Sequence, residues 1–185
     1  MSLRAVGRAA AGAGRDAGDP VRPRRLFFAF WPDEPLRATL ETARAHLFPL
    51  AGRPVDPANL HITAACLGAV DDAKLARLAE LAGPVAPLSI VLDRLEHWSK
   101  PRVLVAVASQ PPPRLRAIVD GLWQRLDRLG FAREPRPYVP HLSLVRDVKS
   151  VRPGLAWPEL EWTVYRIQLV ESVTTPAGVR YTPLD

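Results

Sequence analysis

The sequence predicts an α+β fold, and three observations lead to that prediction. Segments with strand-like and helix-like spacing follow one another as strand, helix, strand, helix, two strands, helix and three strands. This order lacks the regular alternation of a doubly wound parallel sheet, and short turn sequences between strands indicate antiparallel hairpins. With 185 residues, of which 48% are apolar, the chain is long enough for one domain with its own core.

The first half of the chain opens with a segment that has few large apolar side chains to bury. Residues 1–23 consist mainly of Ala, Gly, Arg and Pro, so we expect a flexible extension before a single domain over residues 24–185. RLFFAFW (25–31) predicts the first strand, and apolar residues at helical spacing predict a helix within 33–50 that Asp33 caps. A strand around His61 and a short helix over 71–83, closed by Gly83, follow.

The second half of the sequence predicts strands joined by hairpin turns and a second long helix. Residues 88–98 and 102–108 read as strands, and the sequence SKP between them indicates a turn. The helix, over residues 112–130, ends at Gly130 and places on one face Leu115, Ile118, Val119, Leu122, Leu126 and Leu129. The last strands are predicted at 138–145, 161–172 and 179–184.

Charge and cysteine content exclude several classes of protein. The net charge is +6, but six arginines against two aspartates leave +4 on residues 1–25, so the predicted domain is only mildly basic and its partner must be inferred from its site. The single cysteine, Cys66, excludes an internal disulfide framework, fits a reducing compartment and is expected to fill a small space in the core. The apolar run at 26–31 is too short for a membrane span. We therefore expect a soluble cytoplasmic protein with no obligatory protein partner.

Two strands carry a histidine followed two residues later by a hydroxyl. In LHITAACLG (60–68), His61 and Thr63 share one strand face, and in PHLSLVRD (140–147), His141 and Ser143 do the same. A long helix and a loop rich in Pro and Arg precede each motif, so two related lobes could bring both histidines into one cleft. Opening a phosphodiester ring requires one group that takes a proton, one that gives a proton, and donors for the phosphate oxygens, which this pattern supplies.

A third pair, His97 and Ser99, shows that spacing alone does not select the site. His97 lies beside the predicted turn at Lys100 and Pro101 rather than within an apolar strand, so we expect an exposed residue at the end of its strand. No His, Cys, Asp or Glu cluster has metal-ligand spacing, and neither a metal nor another cofactor is expected.

The two motifs together resemble the 2H phosphoesterase superfamily, and the order around them is similar to its RNA 2',3'-cyclic phosphodiesterase branch, also called the 2'-5' RNA ligase family. The opening RLFFAFWPDEPLRATL, the pair Leu67-Gly68 and the closing VESVTTPAGVRYTPL agree with the resemblance, which begins at about Arg24. It implies a bilobal fold in which two antiparallel-rich sheets line a central cleft with helices outside. It also implies a hydrolase that opens a 2',3'-cyclic phosphate at an RNA end to a 2'-phosphate, with reverse 2'-5' ligation as a further possibility.

The resemblance also implies roles for individual residues. By position, His61 is the acid that protonates the leaving 3' oxygen and His141 the base that activates water, although the two labels can be exchanged. Thr63 and Ser143 bind non-bridging phosphate oxygens, and Arg146 contacts the phosphate or its neighbour. The substrates are RNA ends or small cyclic-phosphate nucleotides.

Departures from the family pattern and the aromatic residues leave other readings open. Ala64 and Cys66 replace larger residues of the family's first motif, and their effect does not follow from the sequence. Base stacking is conceivable for several aromatic residues, with Tyr138 as the candidate nearest a motif. The alternative function is a non-catalytic nucleotide- or RNA-binding module with the same cleft. A third reading is an adaptor whose Arg-rich extension binds RNA.

Overall fold

The computed structural model describes residues 23–47, 50–176 and 178–184, and in this part of the chain it confirms the α+β class. The three helices are α1 (Glu34–Ala45), α2 (Leu75–Ala79) and α3 (Pro113–Asp127). The nine strands are β1 (Arg24–Phe30), β2 (Arg53–Pro54), β3 (Ile62–Val70), β4 (Gly83–Leu92), β5 (Arg94–Trp98), β6 (Val103–Val107), β7 (His141–Arg146), β8 (Leu160–Thr175) and β9 (Gly178–Pro183). Apart from Pro23, the predicted flexible extension lies outside the described residues.

The two long helices begin where the sequence indicates, but α3 ends before its predicted last residue. The Asp33 side chain accepts a hydrogen bond from the Leu36 amide at 3.0 Å, which satisfies one of the free donors of the first turn of α1. The last residue of α3 is Asp127, and the chain turns away at Gly130, whose φ of 81° lies in the left-handed region that glycine adopts without strain. The α3 face is buried at Leu115, Val119, Leu122 and Leu126, with Ile118 and Leu129 partly buried against the core.

Two predicted elements were wrong in their extent. The helix expected over 71–83 is a 3-10 turn (Asp72–Lys74) followed by the five residues of α2, and Gly83 starts β4 instead of closing a helix. The strand expected over 88–98 is two strands, because the chain changes partners at Asp93. Its carboxylate accepts hydrogen bonds from the amide and the hydroxyl of Ser109, so β4 pairs with β8 while β5 pairs with β6.

The strands form one continuous hydrogen-bonded sheet in the order β4-β8-β1-β3-β7-β6-β5, with β2 added to β7 and β9 to β8. Every pairing among the described strands is antiparallel. The two predicted sheets are thus two halves that meet at the seam between β3 and β7. The seam has one ladder pair, Ile62 with Leu142. Both residues are fully buried, so the main core continues across it.

Cys66 does not fill the core as predicted, since it is exposed. The register between β1 and β3 shifts between Leu26 and Phe27 and again between Phe28 and Ala29. These irregularities break the alternation of faces, so that Ala64 and Ala65 are both buried and Cys66 faces outward. None of the helices in the described residues is long and apolar enough to cross a membrane.

Candidate active site

The seam between β3 and β7 brings the two histidine motifs together. Because Ile62 pairs with Leu142 in an antiparallel ladder, the same register sets His61 opposite Ser143 and Thr63 opposite His141. All four of these side chains are half-buried, while Ile62 and Leu142 point into the core. Two imidazoles and two hydroxyls therefore alternate on one face of the sheet.

Both histidine rings are held in the same way. The Nδ1 atom of His61 lies 2.7 Å from the carbonyl oxygen of Asn59, and that of His141 lies 2.8 Å from the carbonyl oxygen of Val139. A carbonyl oxygen only accepts, so Nδ1 carries the proton in each neutral ring and Nε2 is left as the basic atom. The His61 Nε2 is 3.1 Å from the Thr63 hydroxyl oxygen, and the hydroxyl donates to it in the neutral state.

Aromatic side chains surround the His61 ring. Trp31 stacks on it at a centroid distance of 5.3 Å, and Phe27 and Tyr181 contact it at 5.0 and 5.1 Å. Burial among these groups lowers the pKa of His61 to about 4, although the hydrogen bond to Asn59 opposes this effect. In the empty cleft His61 is therefore neutral at pH 7.

His141 has a different environment. The Trp98 ring packs against it at 4.4 Å, and the Trp98 Nε1 donates to a Glu96 carboxylate oxygen at 2.8 Å. Burial lowers the pKa of His141 as well, while the hydrogen bond to Val139 and the negative charge of Glu96 act in the opposite direction. A nearby carboxylate favours the protonated ring, and among the described residues no carboxylate acts on His61 in this way.

A cavity of about 510 Å³ adjoins the motifs and contains three of the predicted site residues, His61, Ser143 and Arg146. Arg146 is half-buried at the end of β7, and its positive charge lowers the pKa of both histidines. The other lining residues are Arg44, Arg53, Pro54, Val55, Asp56, Pro57, Asn59, Gly178, Val179 and Tyr181. The cavity thus combines one of the two imidazoles and one motif hydroxyl with fixed positive charge, while the register of the seam sets His141 and Thr63 on the same face of the sheet.

Two other candidates lie elsewhere. Tyr138 packs against the main core and its hydroxyl is buried, so the structure does not place it for the expected stacking on a base. Burial raises the pKa of this phenol. His97 is half-buried rather than exposed, because its Nε2 donates to the carbonyl oxygen of Val148 at 2.9 Å.

Trp31, Tyr181 and Asn59 also belong to the surroundings of His61, although the sequence patterns did not predict them as site residues. The Asn59 side chain donates to the Val179 carbonyl at 2.7 Å and accepts from the Tyr181 amide at 3.1 Å. The residue that orients His61 through its own carbonyl thus also fastens β9 beside the ring. These contacts join segments far apart in the chain. Of the three residues, only Asn59, which immediately precedes Leu60 and His61, lies close enough to the motif in sequence to be noticed as a candidate.

Within the described residues, no group of three or more His, Cys, Asp and Glu side chains is arranged to hold a metal ion.

Comparison with known proteins adds the following. The sequence model of the 2'-5' RNA ligase superfamily matches residues 32–176. The RNA 2',3'-cyclic phosphodiesterase of Escherichia coli K12 is 34% identical over 169 residues, which are 88% of this chain and 94% of that protein. The enzyme of the same name from Archaeoglobus fulgidus is 30% identical, over 86% of this chain and 97% of its own. The crystal structure of E. coli LigT in apo form superposes with a TM-score of 0.79 at 34% identity, covering 89% of this chain and 96% of LigT. LigT complexed with 3'-AMP gives a TM-score of 0.77 at 34% identity, covering 88% and 96%.

Proposed function

The chain belongs to the 2'-5' RNA ligase superfamily, and we propose that it opens the 2',3'-cyclic phosphate at an RNA end to a 2'-phosphate, with His61 and His141 as its proton-transfer groups. Curated relatives from bacteria and archaea, matched over most of both chains, carry the name RNA 2',3'-cyclic phosphodiesterase. The protein is accordingly a hydrolase that acts on 2',3'-cyclic phosphates. These comparisons give no support to the non-catalytic binding module.

One observation carries the residue assignment. Across the seam, two imidazoles are each fixed through Nδ1 to a backbone carbonyl, which leaves both Nε2 atoms available, and each lies opposite a hydroxyl. A cyclic phosphate between them meets a proton donor, a proton acceptor and hydrogen-bond donors together.

In the reaction, a water oxygen forms a bond to phosphorus while the bond from phosphorus to the 3' oxygen breaks. The proton of the water passes to the Nε2 of one histidine, and the other histidine protonates the 3' oxygen as it leaves. The hydroxyls of Thr63 and Ser143 donate to non-bridging oxygens, and Arg146 balances the charge that develops on them. The 2' oxygen keeps its bond to phosphorus, so the product is a 2'-phosphomonoester.

Motif position assigns the acid to His61 and the base to His141. In the empty cleft the pKa of His61 is about 4, so an acid at this position must acquire its proton when the substrate binds. A cyclic phosphate carries a negative charge, and its approach to Nε2 favours the imidazolium. After hydrolysis each histidine has changed its protonation state, and the same pair then serves reverse 2'-5' ligation with the roles exchanged.

The proposed substrates are RNA ends and small cyclic-phosphate nucleotides. The crystal structure of the related LigT complexed with 3'-AMP supports nucleotide binding by this chain. The proposed location is the cytoplasm, which fits the single cysteine.

The test is hydrolysis of an oligonucleotide that ends in a 2',3'-cyclic phosphate, measured in EDTA with the 2'- and 3'-phosphate products resolved. We expect a 2'-phosphate from the wild type and a loss of about 10²- to 10⁴-fold in His61→Ala and in His141→Ala. His97→Ala is the matched control, since this histidine is hydrogen-bonded outside the cleft, and it should stay within about threefold of the wild type.

Three outcomes would contradict the proposal. A 3'-phosphate product would reverse the direction of ring opening. Near-wild-type turnover in either cleft variant would remove that histidine from the mechanism. Uncleaved substrate that still binds the wild type would instead establish the binding module.

A further inference from the structure

The cavity beside the histidines holds more positive charge than a single cyclic phosphate requires. Arg44, Arg53 and Arg146 line it, and the only carboxylate among its described lining residues is Asp56. The Asp56 carboxylate accepts the amide of Ala58 at 2.8 Å, which uses part of its hydrogen-bonding capacity. A cyclic phosphate carries one negative charge, and Arg146 with the motif hydroxyls already balances it. Arg44 and Arg53 are left for a second anionic group.

Arg53 and Arg146 are direct partners in the ladder between β2 and β7. Directly opposite residues of an antiparallel pair lie side by side on one face, where like charges destabilise the sheet. Gly52 permits this close approach, because a Cβ atom there would lie 2.8 Å from both the Arg146 carbonyl oxygen and a Val145 methyl group. The fold therefore sets two arginines side by side on one face of the sheet, and both line the cavity.

Arg44 adds a buried cation to the same cavity. Its side chain is 9% exposed, and one of its guanidinium nitrogens donates to the carbonyl oxygen of Val55. Among the described residues no carboxylate forms an ion pair with it, although the charges of Glu41 and Asp56 act on it from farther away. An arginine stays charged in proteins, and a buried charge without an ion-pair partner is costly. An anionic ligand in the cavity would remove this cost.

We propose that Arg53 and Arg44 bind the phosphodiester that links the terminal nucleotide of the RNA to the preceding one, next to the cyclic phosphate held at Arg146. This inference rests on the proposed function and assigns the residues that would hold the RNA strand beyond its terminal nucleotide. RNA strands carry such a group, while cyclic mononucleotides do not. The second anion site makes an RNA strand a better substrate than a free 2',3'-cyclic nucleotide.

The Arg53 side chain is available for this role. It is 63% exposed, and its Nε lies 3.3 Å from an Asp147 carboxylate oxygen that is itself 60% exposed. Exposed ion pairs of this kind contribute little stability, so a phosphodiester can replace Asp147 at low cost. Asp147 has a φ of 61°, a conformation that asparagine also tolerates, and Asp147→Asn therefore removes the competing charge without backbone strain.

The experiment compares three substrates: adenosine 2',3'-cyclic phosphate, the same nucleotide with a 5'-phosphate, and a dinucleotide that ends in a 2',3'-cyclic phosphate. We expect the wild type to have the highest kcat/KM for the dinucleotide. Arg53→Gln should lose about tenfold more kcat/KM on the dinucleotide than on the cyclic nucleoside, as a lost hydrogen bond to a charged group predicts. Asp147→Asn should raise the ratio of kcat/KM for the dinucleotide to kcat/KM for the cyclic nucleoside by about two- to threefold, because it removes an exposed ion pair of Arg53.

Two controls separate a local contact from other effects. Arg77→Gln removes an exposed arginine on α2, outside the cavity, and should leave the preference unchanged. In Arg53→Gln, the slope of log kcat/KM against log salt concentration for the dinucleotide should fall by about 0.7, the value for one phosphate contact on a single strand. Arg44→Gln should also reduce the dinucleotide preference. If this variant does not fold, Arg53→Gln decides the question alone.

The outcomes distinguish the second anion site from the proposed function. Equal losses on all three substrates in Arg53→Gln would overturn the second site and leave hydrolysis intact. If kcat/KM for the 5'-phosphorylated nucleotide equals that for the dinucleotide, the second site binds a terminal phosphate instead of a phosphodiester. If the wild type hydrolyses none of them, the proposed function fails. The second site is then tested by comparing the binding of a 2'-phosphate-ended dinucleotide with that of 2'-AMP, both detected by fluorescence. The second site is supported if the dinucleotide binds more tightly to the wild type and Arg53→Gln abolishes this difference. Equal binding of the two ligands to the wild type overturns it.

Discussion

The proton affinity of His61 can be tested without any substrate. Burial beside Phe27, Trp31 and Tyr181 lowers the pKa of this ring from 6.5 to about 4. A pKa shift of this size corresponds to a free-energy difference of about 3 kcal/mol that favours the neutral ring in the folded protein. The perturbation is simply a change of pH, and the unfolded chain, in which the ring is solvated, provides the reference.

The sign of the effect on stability follows from this displacement. The folded pKa lies below the unfolded value, so the unfolded chain binds the proton more tightly. The stabilisation from the neutral ring is complete above about pH 6.5 and is lost as the pH falls through about 4. At pH 4.5 the loss from this one residue is about 2 kcal/mol.

Two measurements check this value. An NMR titration of the carbon-bound ring protons, assigned with single histidine variants, should show one of the four histidines titrating near pH 4. Between pH 7 and pH 4.5, urea unfolding should show a smaller decrease in the free energy of unfolding of His61→Gln than of the wild type, by about 2 kcal/mol. Saturation with 2'-AMP should raise the pKa of His61, because the phosphate favours the imidazolium.

A His61 pKa near 6.5 in the unliganded protein would refute the argument from burial. The aromatic contacts would then not exclude water from the ring, and His61 could act as an acid without any help from the substrate. Equal pH dependence of stability in the wild type and in His61→Gln would lead to the same conclusion.

Three further predictions concern neighbouring residues. Asn59→Ala should lower kcat by about tenfold or more, because it removes the side-chain hydrogen bonds to β9 and so loosens the backbone whose carbonyl orients His61. The Hε1 resonance of His61 should shift in the NMR spectrum of this variant. Gly52→Ala should lower the free energy of unfolding by about 1–3 kcal/mol in urea titrations, because its Cβ would collide with β7, and near-zero loss would mean that β2 moves freely. Glu96→Gln should lower the pKa of His141 further, as the carboxylate now raises it, and an unchanged NMR titration would exclude this interaction.

Local sequence patterns predicted much of the fold and the centre of the candidate site. Alternation along a strand set His61 with Thr63 and His141 with Ser143, and the register of the seam then set the four side chains on one face. The α1 cap at Asp33 also follows from chemistry within a few residues of the helix start. These features depend on near neighbours in the chain, and for that reason a single sequence reveals them.

The features that were missed depend on pairing between distant segments. Phe30 pairs with Ile62, so Trp31 lies opposite His61, but nothing in RLFFAFW indicates its partner strand. Tyr181 reaches the same ring because β9 pairs with β8 and is also fastened to Asn59. The exposure of Cys66 results from register shifts that leave no mark in the alternation of residues. Tyr138 stands three residues before His141, yet it packs against the main core.

A repeated motif has produced two histidines with the same attachment and different surroundings. Each ring is held through Nδ1 by the carbonyl oxygen two residues before it, so the backbone gives both the same tautomer. What differs is the neighbouring side chains, three aromatic rings at His61 and the Trp98–Glu96 pair at His141. The shared tautomer leaves the same kind of Nε2 atom in each ring, while the neighbouring side chains act differently on the two pKa values. In the proposed mechanism the acid and base labels can be exchanged for that reason, and reverse ligation uses each histidine in the other role.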